Sequence, residues 1–191
     1  MLRKIKKIAA LNKLDYNFSH PSLLTEFKLS TLQNNKINNF LNILFEWNKK
    51  FNLVGKSTLS NPEKTHILDC IQIAKIIKNK KSKIIDIGTG AGLPGIVLSI
   101  YGYSNLSLLD SNQKKINFIK YTASKLNLSI NIINSRIENF NDGKFDFIIA
   151  RALAKLDKLL FYASFLSHKK SQLIFLKGEK LNDEIKVAQK T

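Results

Sequence analysis

Apolar and polar positions change rhythm along this chain. Through the first third they recur at helical spacing. Over residues 37–54, Ile37, Phe40, Leu41, Leu44, Phe45, Trp47 and Phe51 fall mostly three or four apart, which predicts an amphipathic helix introduced by the Asn-rich NNKINN. Residues 19–29 predict a short helix with Ser19 or His20 near its cap and Pro21 in its first turn. The basic stretch before it, MLRKIKKIAALNKLDYNF, reads as a first amphipathic helix; without a continuous apolar region or a small-residue cleavage site, it does not resemble a secretory signal. A third helix is predicted over 61–78, with Pro62 near its start and a stripe through Ile67, Leu68, Ile71, Ala74 and Ile77.

After residue 80 short β-branched runs alternate with helical segments. Strands are predicted at 83–88, 105–110, 130–133, 144–150 and 172–178. Helices are predicted at 92–101, 113–127 and LDKLLFYASFL, with a polar helix behind the last strand. Strands alternating with helices in this way predict an α/β fold with a mostly parallel sheet. The chain divides near residue 60 into a helical N-terminal extension, 1–60, and an α/β core, 61–191, expected to form one structural unit.

The sharpest motif closes the first of these strands: Asp86-Ile-Gly88-Thr-Gly90-Ala-Gly92-Leu93-Pro94-Gly95. Following a strand and opening a helix is the context such a turn requires. Gly88, Gly90 and Gly92 let the backbone turn sharply and approach a ligand, which would lie beside the helix N-terminus. Asp110 ends the second strand, where a carboxylate can accept hydrogen bonds from both hydroxyls of a ribose. Dinucleotide folds carry a similar turn, but the G-x-G-x-G spacing lacks their third glycine, and Asp86 would repel a pyrophosphate while attracting the amino group of a methionine moiety. These details favour S-adenosylmethionine over NAD. The bland alternative is a glycine-rich turn with no ligand.

Charge adds a partner. Thirty-one Lys and Arg against 14 Asp and Glu give a net charge of +17, which suits a polyanion such as nucleic acid. Codon bias toward Lys, Asn and Ile is the competing explanation. Arg3, Arg136 and Arg151 are the only arginines, and in so lysine-biased a chain they point to use of the planar guanidinium fork. One cysteine, Cys70, excludes an intrachain disulfide and reads as a buried small hydrophobe. No Cys/His spacing suits zinc, so no metal is expected. No apolar run reaches the ~20 residues of a membrane span, so a cytoplasmic location, without membrane association, is expected. His66 and Asp69 share a helix face and are read as a structural hydrogen-bonding pair, with a role at a cofactor mouth as the alternative. Trp47 and Phe51 are read as core, with an RNA-stacking platform as the alternative.

EWNKKFNLV at 46–54, HILDC at 66–70, DIGTGAGLPGIVLSI at 86–100, LLDSNQKKINFIK at 108–120, SRIENF at 135–140, ARALAKL at 150–156 and LKG at 176–178 run in order along most of the chain. In these stretches the sequence resembles the bacterial small-subunit ribosomal RNA guanine-N7 methyltransferases, the glucose-inhibited division protein B family. The resemblance implies a Rossmann-like class I methyltransferase fold, S-adenosylmethionine as cofactor and 16S ribosomal RNA, or the small ribosomal subunit, as partner, with the chain acting as a monomer. It further implies that Gly88 and Leu93 contact the cofactor, that Ile137 and Glu138 flank the adenine, and that Arg151 lines the pocket where cofactor and target meet. Arg136, next to the adenine segment, is read either there or as an RNA contact. Arg151 and Lys177 are expected to position the target as phosphate or carboxylate clamps, without a general base. Two departures stand out: Thr65 where the family has a basic residue, and a chain ending at Thr191 where the family continues into a closing hairpin. The last strand is therefore expected at an exposed edge. An RNA-binding relative that kept the fold and lost turnover, and an NAD-dependent oxidoreductase, are the competing functions.

Overall fold

In the computed structural model, residues 8–11 and 27–189 are described. Among these residues six strands form one sheet: β1 (Ile8–Leu11), β2 (Ile84–Ile87), β3 (Leu106–Asp110), β4 (Asn131–Asn134), β5 (Phe145–Arg151) and β6 (Ser167–Leu176). Their order is β1-β6-β5-β2-β3-β4, and every neighbouring pair is parallel. The central strands β2 and β3 are buried at every position, as parallel strands covered on both faces must be. Successive side chains point to opposite faces: Ile84 and Leu108 belong to one core, Ile85, Ile87 and Leu109 to the other.

The first core is covered by α1 (Thr31–Asn48), by a helical segment α2 over residues 63–75, by α3 (Gly95–Tyr101) and by α4 (Gln113–Lys125). The second is covered by α5 (Leu156–Leu166) and α6 (Leu181–Ala188). The expected alternation and sheet direction are present, and the strand boundaries agree within a few residues. The exception is β6, which begins five residues before its predicted start.

The N-terminal third departs from expectation. α1 begins at Thr31, not 37, because Ser30 and Gln33 form a capping box: the Ser30 hydroxyl accepts from Gln33 N and the Gln33 amide oxygen from Ser30 N. Gln33 Nε2 also donates to the Ile100 and Tyr101 carbonyls at the end of α3, both at 3.1 Å. α1 ends at Asn48, six residues before the predicted end. α2 winds as a π-helix over Glu63–Leu68, passes through α geometry at Asp69–Ile71 and tightens to 3₁₀ at Gln72–Lys75. Such π turns recur at functional sites. Where a first amphipathic helix was expected, Ile8–Leu11 is extended and pairs with Leu173–Leu176. β6 is thus flanked by β1 and is not the bare edge that the sequence suggested. The helix predicted over 19–29 lies outside the described residues except at its end, where Phe27 and Lys28 form a turn.

Candidate active site

The strand order reverses beside β2, between β3 on one side and β5 on the other. At such a switch point the loops leaving adjacent strands diverge and open a crevice at their carboxyl ends. Two cavities lie there, of about 370 and 310 Å³, sharing Gly88, Lys115 and Ala152 as walls. The larger is bounded by Asp110, Ser135, Arg136, Ile137, Glu138 and Leu153, among others. The smaller is bounded by Leu53, Val54, Gly55, Thr58, His66, Thr89, Gly90, Leu93 and Arg151. The sequence-predicted Gly88, Gly90, Leu93, Asp110, Ile137, Glu138 and Arg151 are therefore brought to one bipartite cleft. Arg136 is there as well.

The glycine turn separates the two halves. Gly88 has φ +63, and a Cβ on it would sit 2.3 Å from Leu153 Cδ1, so only glycine fits. Gly90 has φ +59, yet a Cβ there would meet nothing closer than 3.9 Å. The space beside Gly90 is thus available to a ligand. Gly92 walls neither cavity; it lets the chain pass Ile96 into α3.

Two acids support this turn differently. Asp110 Oδ2 accepts from Gly90 N at 2.9 Å and its Oδ1 from Asn112 N at 2.8 Å. Each oxygen keeps lone-pair capacity on the wall of the larger cavity. Asp86 does not reach either cavity wall, contrary to its expected role toward an amino group. It is fully buried beneath the turn, where Oδ2 accepts from Thr89 Oγ1 at 2.6 Å and Gly95 N at 2.9 Å. The strand alternation that places Ile85 and Ile87 in one core turns Asp86 toward the other, under the start of α3. Oδ1 has no hydrogen-bond partner among the described residues, and burial raises the carboxyl pKa to about 7.

On the smaller cavity, Arg151 leaves β5 and reaches back to α2. One guanidinium nitrogen lies 2.8 Å from His66 Nδ1; the other donates to Cys70 Sγ at 3.4 Å. His66 and Cys70 stand four apart in α2, so one planar fork spans both. Arginine cannot accept a hydrogen bond, so His66 Nδ1 must accept and its proton must sit on Nε2. Burial, aided by the Arg151 charge, holds His66 down to about 4, so the imidazole is neutral. His66 Nε2 has no hydrogen-bond partner among the described residues. Burial pushes the Cys70 thiol up to about 12, as expected of a core cysteine.

Lys177 is the second site residue that the structure moves. It walls neither cavity. Its Nζ donates to the Ala154 carbonyl at 2.8 Å and pairs with Glu184 Oε2 at 2.6 Å, and the same oxygen accepts from Leu156 N at 2.8 Å. The carboxylate it clamps is the chain's own. This staple fixes the loop that follows Arg151, in which Ala152 sits at φ 52. The sequence reading also missed Lys115, the wall segment 53–55, Thr58 and Glu184. Lys115 is the third residue of α4, whose N-cap Asn112 accepts from Lys114 N and Lys115 N; that cap was the available signal. Nothing in the sequence pairs Glu184 with Lys177.

Known proteins place this arrangement in a lineage. A protein from Mycoplasma capricolum named ribosomal RNA small subunit methyltransferase G is 40% identical over 177 residues, covering 88% of this chain and 76% of that protein. One of the same name from Orientia tsutsugamushi strain Boryong is 40% identical over 151 residues, covering 79% and 75%. Among solved structures, a ribosomal protein L11 methylase from Lactobacillus delbrueckii subsp. bulgaricus superposes with a TM-score of 0.57 at 23% identity over 66% of this chain and 67% of that one, a likeness of fold. The model of the rRNA small subunit methyltransferase G family, GidB, matches residues 33–191, the stretch that contains both cavities, and the chain belongs to that family.

Proposed function

We propose that the chain transfers the methyl group of S-adenosylmethionine to N7 of a guanine in 16S ribosomal RNA, with the adenosine part of the cofactor along the Asp110 wall and the target base along the Arg151 wall. The observation that carries this reading is the pair of cavities meeting at Gly88 and Ala152, one with the Asp110 carboxylate on its wall, the other with Arg151. The residues fit the cofactor. Gly90 leaves the space a side chain would fill, Asp110 has capacity for ribose hydroxyls, and Ile137 offers an apolar surface to adenine, with Glu138 beside it. When bound, the cofactor supplies an electrophilic methyl on a sulfonium.

The chain's own residues align and shield. Guanine N7 carries a free lone pair at neutral pH, so no side chain has to remove a proton before attack. Alignment in a dry cleft is worth up to about 7–11 kcal/mol in well-oriented systems. Positive charge moves onto the guanine during transfer, so a cation at N7 would oppose it. Arg151 is instead suited to a phosphate or carboxylate, and its fork is held in one orientation by His66 and Cys70. His66 adds no charge to the cavity because it is neutral. N7 lies in the deep groove of A-form RNA, out of reach of side chains, so the target base is unstacked or in an open loop. In this reading the chain acts as a monomer in the cytoplasm, where such a substrate is met. Among the described residues no helix is long and apolar enough to cross a membrane.

Mapping N7-methylguanine in 16S RNA from cells with and without the gene tests this reading. One guanine should lose its methyl group in the deleted strain and regain it on complementation. An unchanged methylation pattern would overturn the assignment.

A further inference from the structure

Beside the smaller cavity lies a cluster of rings that the cofactor and target walls do not use. Trp47, near the end of α1, packs on Phe51, Phe118 and Tyr121 with centroids 5.6, 5.5 and 5.5 Å away. Phe118 is fully buried and anchors the cluster, but Phe51 and Tyr121 are 39% and 43% exposed. Burying α1 does not require these outer rings, since Ile37, Phe40 and Leu44 already form its inward stripe. The cluster is connected to the target wall through two elements, the segment after α1 and α4. Leu53 and Val54 lie two and three residues after Phe51 and line the cavity, and Val54 N donates to Asn48 Oδ1 at 2.9 Å, tying this segment to the end of α1. On α4, Lys115 is a wall residue, and Tyr121 lies less than two turns further along the helix.

The charge around the rings has one sign. Across residues 31–54 and 113–125, Glu46 is the only acid, and it is paired with Lys49 at 2.7 Å. Lys50, Lys114 and Lys125 are exposed, and Lys125 Nζ stands 5.7 Å from the Tyr121 ring centroid. Apolar rings bordered by an excess of cations select a polyanion that also carries flat apolar faces. Single-stranded RNA has both: bases stack on aromatic rings while lysines neutralise phosphates.

We propose that Phe51 and Tyr121 form a stacking platform for the single-stranded RNA that flanks the target base, with Lys50, Lys114 and Lys125 holding its phosphates, so that the strand is led into the cavity between Val54 and Arg151. This rests on the RNA reading above. The platform supplies sequence-tolerant grip, whereas selection of the base is left to the cavity.

The test is the affinity of the full chain for a single-stranded RNA oligonucleotide containing one guanine, measured by fluorescence anisotropy at fixed salt. The double variant Phe51→Leu, Tyr121→Leu keeps apolar side chains and removes the π faces. Its Kd should rise at least about tenfold, with the melting temperature and S-adenosylmethionine affinity near wild type; Phe51→Trp should retain binding. Lys114→Gln and Lys125→Gln should each lower the salt slope by roughly one. Equal RNA affinity in wild type and the double leucine variant would overturn the platform and leave the RNA reading standing. A wild type that binds no RNA would overturn both.

Discussion

The two halves of the cleft are built from different material. The Asp110 half is built at neighbouring strand ends: Gly88 after β2, a carboxylate at the end of β3 bound to two main-chain N–H groups, and the loop after β4. The Arg151 half is assembled from side chains far apart in sequence. Arg151 meets His66 and Cys70 from 85 and 81 residues away, and its loop is pinned by Lys177 and Glu184 from α6 and the end of β6. Backbone geometry held by a buried sheet tolerates a changed side chain. A wall made of interlocked side chains does not, because each substitution leaves a partner unpaired.

The largest expected effect follows from that difference. Arg151→Lys replaces a fork serving two partners with a single point charge. Methyl transfer to isolated small subunits should fall on the order of 10²-fold, the scale of a small misplacement at a reacting centre, while the melting temperature stays within a few degrees. Near-normal transfer would mean that Arg151 is structural only.

Asp110→Ala is the matching change on the other wall. It should weaken S-adenosylmethionine binding by about 1–3 kcal/mol, the range for loss of a charged hydrogen-bond partner. Calorimetry decides this, and an unchanged Kd would move the cofactor elsewhere. Lys177→Met should cost about 1–3 kcal/mol of stability in chemical denaturation, because Glu184 loses its cation in a partly buried site. Its cofactor Kd should change less than that of Asp110→Ala. A loss of cofactor affinity without a loss of stability would return Lys177 to the site.

A smaller effect distinguishes the two buried titratable groups. Asp86 holds its proton more tightly folded than unfolded, with a pKa of about 7 against 3.8. Its contribution is therefore full below pH 3.8 and is lost as pH rises through 7. His66 is the reverse, about 4 against 6.5: its contribution is full above pH 6.5 and is lost as pH falls through 4. Over the shared window the two slopes oppose each other. In thermal melts from about pH 4 to 6.5, His66→Gln should shift the slope of Tm against pH downward relative to wild type, and Asp86→Asn should shift it upward. Shifts of the same sign in both variants would refute the assignment of neutral His66 and protonated Asp86.

The same contrast explains what the sequence disclosed. The Gly88–Gly95 turn, Asp110 and the alternation of β2 to β6 with their helices are local patterns, dictated by φ > 0, strand ends and burial on both faces, so they are legible one segment at a time. The role of Asp86 was not, since its identity suggested a ligand while the pleat of β2 turned it under the turn. Lys177 failed for another reason: its partner Glu184 sits on a helix of its own, and no spacing rule links them. The capping box at Ser30 was readable but was masked by the Asn-rich run after it. The strand at Ile8–Leu11 depends on a tertiary partner, the free edge of β6, which overrides its local basic, amphipathic pattern.

The most direct measurement of the central claim is methyl transfer by the purified chain from methyl-labelled S-adenosylmethionine to isolated small ribosomal subunits, followed by mapping of the label. The account predicts label at N7 of a guanine in 16S RNA, strongly reduced in Arg151→Lys at saturating cofactor and restored toward wild type by excess cofactor in Asp110→Ala. Label on another atom or on protein, or none, would contradict it.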